Sequence, residues 1–281
     1  MAQGGFFLVP RPSPGAALVD LYFRVLSRRR LGRLNRIVLL AALRSLGILN
    51  WHNPRESGEE WLLSRLAALL ADRVIVDVGA NQGSWSALAR RLVPTATIHA
   101  VEPNPVTFAR LATQAVVSGF TAHNTALGDH IGNALLFDYA SGPGGTGHAT
   151  LHAGVFTTVH HSQAAPVSVP LTTLDELAQG NGLDSIALLK IDTEGSESAV
   201  LRGGARLLAA GVIDVIQFEF NEMNVVSRVF MRDFVELLPG YEFYRLLPGS
   251  ALPLGEYTPW LWEIFAFQNV VCVRKGSGLT L

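Results

Sequence analysis

Charged side chains recur in this chain where apolar strands are expected to end. Ligands of a parallel α/β sheet gather at such carboxyl ends. Asp77 lies at the end of the run Val74-Ile75-Val76-Asp77-Val78, just before Gly79-Ala80-Asn81-Gln82-Gly83. Glu102 follows a second apolar run, Thr97 to Val101. Lys190 and Asp192 alternate in Ala187 to Asp192 and so share a face, with Glu194 just beyond. Gln217, Glu219 and Asn221 alternate in the same way. If those last two strands are neighbours, six polar groups converge at one sheet edge. Burying unpaired charge is costly, so such a cluster is paired, functional or both. An ion pair from Lys190 to a carboxylate would serve register; carboxylates beside it could also take a proton.

The turn spacing separates two nucleotide ligands. A dinucleotide prefers G-x-G-x-x-G, because its pyrophosphate sits on a helix N-terminus. Here the order is D-x-G-x-N-x-G, with Asp77 inside the turn. That carboxylate would repel a pyrophosphate and suits an amino group and a sulfonium, which describes S-adenosylmethionine. Glu102, about twenty residues on, is placed to accept from a ribose. The plain alternative is an ordinary strand-to-helix turn in which Asp77 caps the helix.

These residues need a scaffold, and strand and helix signals alternate along most of the chain, as a doubly wound sheet requires. Helices are predicted over Trp61 to Ala71, Ser84 to Leu92, Val106 to Ser118, Glu197 to Ala209 and Val225 to Leu238. Besides the strands named, Thr121 to Leu127, Ala134 to Tyr139 and Val212 to Phe220 read as strands. Tyr241 to Leu247 and Asn269 to Arg274 read as a closing antiparallel pair.

The motifs resemble the FkbM-type S-adenosylmethionine-dependent methyltransferases. The matching stretches are Val76 to Gly83, Val101 to Pro105, Asn124 to Asp129, Leu171 to Glu176 and Leu189 to Glu197, within roughly residues 74 to 220. The resemblance implies an α/β class I (Rossmann-like) doubly wound seven-stranded sheet ending in an antiparallel hairpin, and usually O-methylation of a sugar or natural-product hydroxyl. It places Asp77 near the methionine amino group, and Gly79, Ala80, Asn81 and Gly83 in the turn around methionine and ribose. Glu102 is expected to accept both ribose hydroxyls, and Pro103 and Asn104 to flank the adenine. Asn124, Ala126 and Leu127 are expected to supply the other adenine wall.

Methyl transfer to oxygen requires alignment, exclusion of water and removal of the hydroxyl proton. Lys190, Asp192, Glu194 and Glu219 are the expected catalytic residues. The three carboxylates could act directly or hold a divalent cation such as Mg²⁺, so metal dependence stays open and no metal ligand is assigned. In the irregular stretch 140–168, His148 is expected to contact the acceptor or shuttle the proton as the loop closes. Tyr257 and Trp260 could line a sugar or polyketide.

Of 281 residues, 22 are basic and 23 acidic, so nothing marks a general nucleic-acid binder. The single cysteine, Cys272, excludes an internal disulfide and reads as a buried thiol. Residues 1–60 are expected to form a helical extension and residues 61–281 the catalytic domain, in a cytoplasmic enzyme. Arg24, Arg28, Arg29, Arg30, Arg33 and Arg36 concentrate in that extension, where the apolar run Ile37 to Leu43 is too short to span a bilayer. The extension would roof the cleft or, less often for such segments, touch a membrane surface. The expected partner is a small hydroxylated acceptor. Alternatives are an N-methyltransferase of a protein or small amine, or a silent membrane-associated binding module.

Overall fold

The computed structural model describes residues 14–140 and 145–281. The chain divides into two units, one ending at Ser45 and one running from Leu46 to Leu281. In the first, α1 (Pro14–Leu26) and α2 (Gly32–Ser45) flank a single 3₁₀ turn. Tyr22 donates to Asn35 Oδ1 (2.8 Å) and Asn35 Nδ2 donates to the Leu26 carbonyl (3.0 Å) across that turn.

Residues 46–58 pack within the second unit and not, as expected, with the helical extension. Ile48 is fully buried and bridges Gln268, and the Leu49 amide donates to the Phe267 carbonyl (2.7 Å). Arg245, fully buried, donates to Gln268 Oε1 (2.7 Å) and to the Leu46 carbonyl (3.5 Å).

The second unit continues with α3 (Glu59–Leu70), whose Leu62, Leu63, Leu66 and Leu70 form a buried stripe at helical spacing. Then come β1 (Val74–Val78), α4 (Ser84–Leu92), β2 (Thr97–Val101), α5 (Pro105–Ser118) and β3 (Thr121–His123). Asn104 caps α5 and Pro105 opens it, while Gly119, at φ 77°, ends it. Next are β4 (Ala126–Leu127), β5 (Gly132–Tyr139), α6 (Ala153–Thr158), β6 (Ala164–Thr172), α7 (Leu174–Gly180) and β7 (Ile186–Ile191). The chain goes on through α8 (Glu197–Arg202), α9 (Ala205–Ala210), β8 (Ile213–Phe220), α10 (Met223–Ser227) and α11 (Met231–Leu237). It closes with β9 (Tyr241–Leu247), β10 (Ser250–Pro253), α12 (Pro259–Trp262) and β11 (Gln268–Arg274).

The main sheet has the order β10-β9-β11-β8-β7-β1-β2-β3. The five strands from β8 to β3 are parallel, and β9, β10 and β11 are antiparallel. The seven expected strands, closing pair included, are therefore present, and β10 adds an eighth at the edge. One face packs Ile75, Leu188 and Val215 under α3 and α4; the other packs Val76, Leu189 and Ile216 under α8, α9 and α11. Strand order reverses between β1 and β7, which opens a crevice at their carboxyl ends.

Four expectations change. Thr121 to Leu127 is two strands, and β4 leaves the main sheet to pair with β6 in a separate sheet β4-β6-β5. Stretch 140–168 is less irregular than expected, since it contains α6 and the start of β6. The helix after β7 breaks at Gly203-Gly204, where a Cβ on Gly203 would overlap the Gly128 carbonyl oxygen. The helix after β8 breaks at Arg228, which has φ 56°. No helix among the described residues is long and apolar enough to cross a membrane.

Candidate active site

The turn after β1 is pressed against the end of β7. The amides of Gly79 and Ala80 both donate to the Val101 carbonyl (2.9 Å each), and the Asp192 amide donates to the Val78 carbonyl (2.9 Å). Gly79 has φ 80°, and a Cβ there would overlap the Asp192 carbonyl oxygen. Asn81 also has positive φ, and its amide donates to Glu102 Oε2 (3.0 Å); the Asn104 amide donates to Glu102 Oε1 (2.8 Å). Burial pushes the Glu102 carboxyl up to about 7, with those two amides pulling the other way.

A cavity opens here. Gly79, Asn81, Glu102 and Pro103 line one side, and Thr125, Ala126, Leu127 and Leu136 line the other. Asp192, Thr193 and Glu194 line it from β7, and Thr146 to Leu151 contribute all but His148 of the covering loop. This loop therefore covers the cavity that holds Glu102. Asp138 ties it down, accepting from the Gly145 amide (2.8 Å), the Thr146 amide (3.1 Å) and Thr146 Oγ1 (2.5 Å). The same carboxylate accepts from Asn104 Nδ2 (3.0 Å), so lid and helix cap share one anchor. His148 stands 3.6 Å from Glu194 Oε1, whose proximity raises the imidazole above its ordinary value.

Other expected cofactor residues act from behind. Asn124 does not line the cavity: its Nδ2 donates to the carbonyls of Glu102 (2.9 Å) and Pro103 (3.2 Å), shaping that turn. Asn104 is buried in its helix-capping role. Gly83 begins α4 at φ 83°, where a Cβ would meet Leu111 Cδ1 at 2.8 Å. Ala80 is buried in the core. Asp77 is fully buried, accepts from Ser86 Oγ (2.7 Å) and lies 3.6 Å from Lys190 Nζ.

Asp77, Lys190 and Gln217 form one row across β1, β7 and β8. Lys190 Nζ donates to Asp192 Oδ2 (3.1 Å) and sits 5.6 Å from the Trp85 ring centroid. Burial works against the Lys190 charge, yet Asp192, Asp77, Glu59 and Glu219 together hold it above the ordinary lysine range. Burial, reinforced by Asp192 and Glu194, pushes Glu219 well above the ordinary carboxyl range, with Lys190 opposing. Glu194 instead faces the first cavity. Asn221 also parts from the group: it accepts from the Met223 amide (3.0 Å) at the start of α10.

Lys190, Asp192 and Glu219 line a second, open cleft of about 1010 Å³ with Arg55, Glu59, Glu60, Trp85 and Arg91. Among the described residues, Asp192 alone lines both cavities. Tyr257 and Trp260 line neither; Tyr257 donates to Glu263 Oε1 (2.7 Å). No group of three His, Cys, Asp or Glu among the described residues is arranged to hold a metal ion, and the cation amid these carboxylates is Lys190.

Three residues escaped the sequence reading. Glu59, in the first turn of α3, accepts from Gln217 Nε2 (3.1 Å) and reaches the Lys190 cluster. Its only signal was an acidic pair opening an apolar-striped helix, which serves equally for the helix dipole. Asp138 looked like any polar residue of an alternating strand. Glu197 shapes the loop after β7 through its Oε1, which accepts from the amides of Thr193 and Gly195 (3.0 Å each). It lay inside a quoted motif but carried no assigned role.

The crevice, the acid at the tip of β2 and the closing antiparallel strands define a class I, Rossmann-like methyltransferase. Comparison with known proteins makes this specific: the model of the methyltransferase FkbM domain matches residues 77–243, and the chain belongs to that family. It is 27% identical over 186 residues to the 2-O-methyltransferase NoeI of Sinorhizobium fredii, covering 63% of this chain and 75% of that one. It is 34% identical to methyltransferase 1 of Beauveria bassiana and 31% identical to methyltransferase sdnD of Sordaria araneosa. Those matches cover 47% and 49% of this chain, and 58% and 62% of those relatives. An O-methyltransferase structure from Bacillus cereus aligns over 92% of this chain and 97% of its own, at 13% identity and a TM-score of 0.43, too distant to add to the assignment.

Proposed function

We propose that this methyltransferase transfers the methyl group of S-adenosylmethionine to a hydroxyl oxygen of a small molecule: a sugar, a glycolipid or a natural product. The observation that carries this reading is the position of Asp192, the one described residue shared by the narrow cavity and the charged cleft. The narrow cavity fits the cofactor. Glu102 offers a buried carboxylate for ribose hydroxyls, Pro103, Ala126, Leu127 and Leu136 offer an apolar slot for a base, and Asn81 Oδ1 is a buried acceptor without a partner.

When bound, S-adenosylmethionine supplies a methyl group already activated on a sulfonium. The chain must place an oxygen in line with it and take the proton. Asp192 is held by the Lys190 ammonium at the boundary of the two cavities, where it can accept that proton. Glu219, whose carboxyl retains its proton to higher pH, is suited to hydrogen-bond the acceptor rather than deprotonate it. Glu194 and His148 close the cofactor side. Arg55, Glu60 and Arg91 give the cleft polar walls suited to a hydroxylated acceptor, and Trp85 offers a flat face for a sugar ring. In the proposed mechanism the carboxylates act directly, without a divalent cation, and the chelator arm below tests that choice.

The test is incubation with methyl-labelled S-adenosylmethionine and a panel of sugars, glycolipids and hydroxylated metabolites, each with an amine counterpart. Label on oxygen, unaffected by chelator, is expected. Label confined to amines would overturn the acceptor class, and loss with chelator would overturn the metal-free mechanism.

A further inference from the structure

The near-zero net charge conceals a division along the chain. Residues 1–45 hold eight arginines and one acid, Asp20, a net charge of +7. The rest holds fourteen basic and twenty-two acidic side chains, a net charge of −8. A split of this size is a mark of chains that meet a charged surface with one segment.

The described residues of the helices carrying that charge include no buried side chain. Every described side chain from Gly15 to Ser45 is exposed or half-buried, including Leu18 (68% exposed), Phe23 (67%) and Ile37 (65%). Leu18, Leu21, Tyr22 and Val25 line one side of α1 at helical spacing. Arg28, Arg29 and Arg30 fill the turn between the helices, and Arg33 and Arg36 open α2. Among the described residues no acidic side chain pairs with any of these five arginines. Helices of 13 and 14 residues are marginal in water without an apolar surface to rest on.

We infer that α1 and α2 form an amphipathic anchor that lies on an anionic lipid surface. The apolar side chains enter the acyl boundary and the arginines meet the headgroups, their aliphatic stems lying along the interface. Charge complementarity favours an anionic surface, and like charge opposes pairing with the same segment of a second copy, which also carries +7. The exposed Leu18, Phe23 and Ile37 select it over nucleic acid, which needs no apolar contact along a helix. No helix among the described residues is long and apolar enough to cross a bilayer, and the proposal sets the element on the membrane surface.

The full-length protein is sedimented with vesicles of zwitterionic lipid alone and of the same lipid with an anionic fraction. Binding to the anionic vesicles, weakened by salt, is expected. The triple variant Arg28→Ala, Arg29→Ala, Arg30→Ala should weaken it on the order of 100-fold, from the usual contribution of a basic residue near an anionic surface. Leu18→Ser with Phe23→Ser should weaken the part that survives high salt. Unchanged unfolding midpoints verify that both variants fold. The inference is overturned if the native chain ignores anionic vesicles or if the triple variant binds like the native chain. A lipid-free dimer dispersed by Phe23→Ser, or tight binding to an oligonucleotide without vesicle binding, would also overturn it.

Discussion

The two cavities that meet at Asp192 are built by opposite means. The cavity proposed for the cofactor is narrow, about 80 Å³, and is lined by glycines, small and aliphatic side chains and the carboxylates of Glu102, Asp192 and Glu194, beneath a loop that Asp138 holds in place. The cleft proposed for the acceptor spans about 1010 Å³ and is walled by charged side chains from the segment 53–60, α4, β7 and β8. A ligand of fixed shape rewards a preformed site, because little has to be ordered on binding. A cleft formed by long side chains can be re-lined residue by residue. On the proposed reading, a preformed slot with Glu102 at its side recognises the cofactor, and the charged side chains of the open cleft choose the acceptor.

Substitutions can break that contrast. The largest effect is expected for Asp192→Ala: turnover should fall about 10³-fold, as for loss of a general base, while cofactor affinity from calorimetry changes only a few-fold. Equal loss of both would mean that Asp192 mainly supports the turn. Glu102→Ala should do the reverse, weakening cofactor binding about 100-fold through lost charge-assisted hydrogen bonds, with turnover at saturating cofactor nearly kept. Asp138→Asn should weaken cofactor binding about 10-fold through a loosened lid and leave acceptor KM alone; a shifted acceptor KM would show that the loop serves the other cavity.

The smallest effect is a pH dependence. The Glu102 carboxyl sits at about 7 in the free protein, so its ionised, hydroxyl-accepting form is lost as pH falls through that value. Cofactor affinity should rise about fourfold between pH 6.5 and 8, as one ionisation at 7 dictates. Glu102→Gln should flatten the rise. If the slope survives, the titration belongs to another group, and Glu194, also raised by burial, is the next to replace.

How much of this was legible in the sequence depended on how local each cause was. The parallel strands announce themselves through β-branched runs, and the turn at Gly79 through its own glycine, so the crevice and Glu102 could be read from short stretches. Asp192 and Lys190 share a strand and needed only the rule of alternation. Glu59 reaches Lys190 from a helix 131 positions earlier in the sequence. Asp138 acquires its role only when the loop at Gly145 folds back onto β5. Strand β6 was hidden because Pro166 and Pro170 argue against a strand, and most of its residues before Val169 are exposed on an edge-like pairing with β5.

The contact at Gly79 links the two cavities mechanically. With no room between its Cα and the Asp192 carbonyl oxygen, the floor of one site abuts the rim of the other. Any side chain introduced there would displace the Asp192 backbone and distort the turn that lines the narrow cavity in a single movement. On the proposed reading, redirecting the enzyme to a new acceptor begins at Asn53, Pro54, Arg55 and Glu60, which line the cleft away from Gly79.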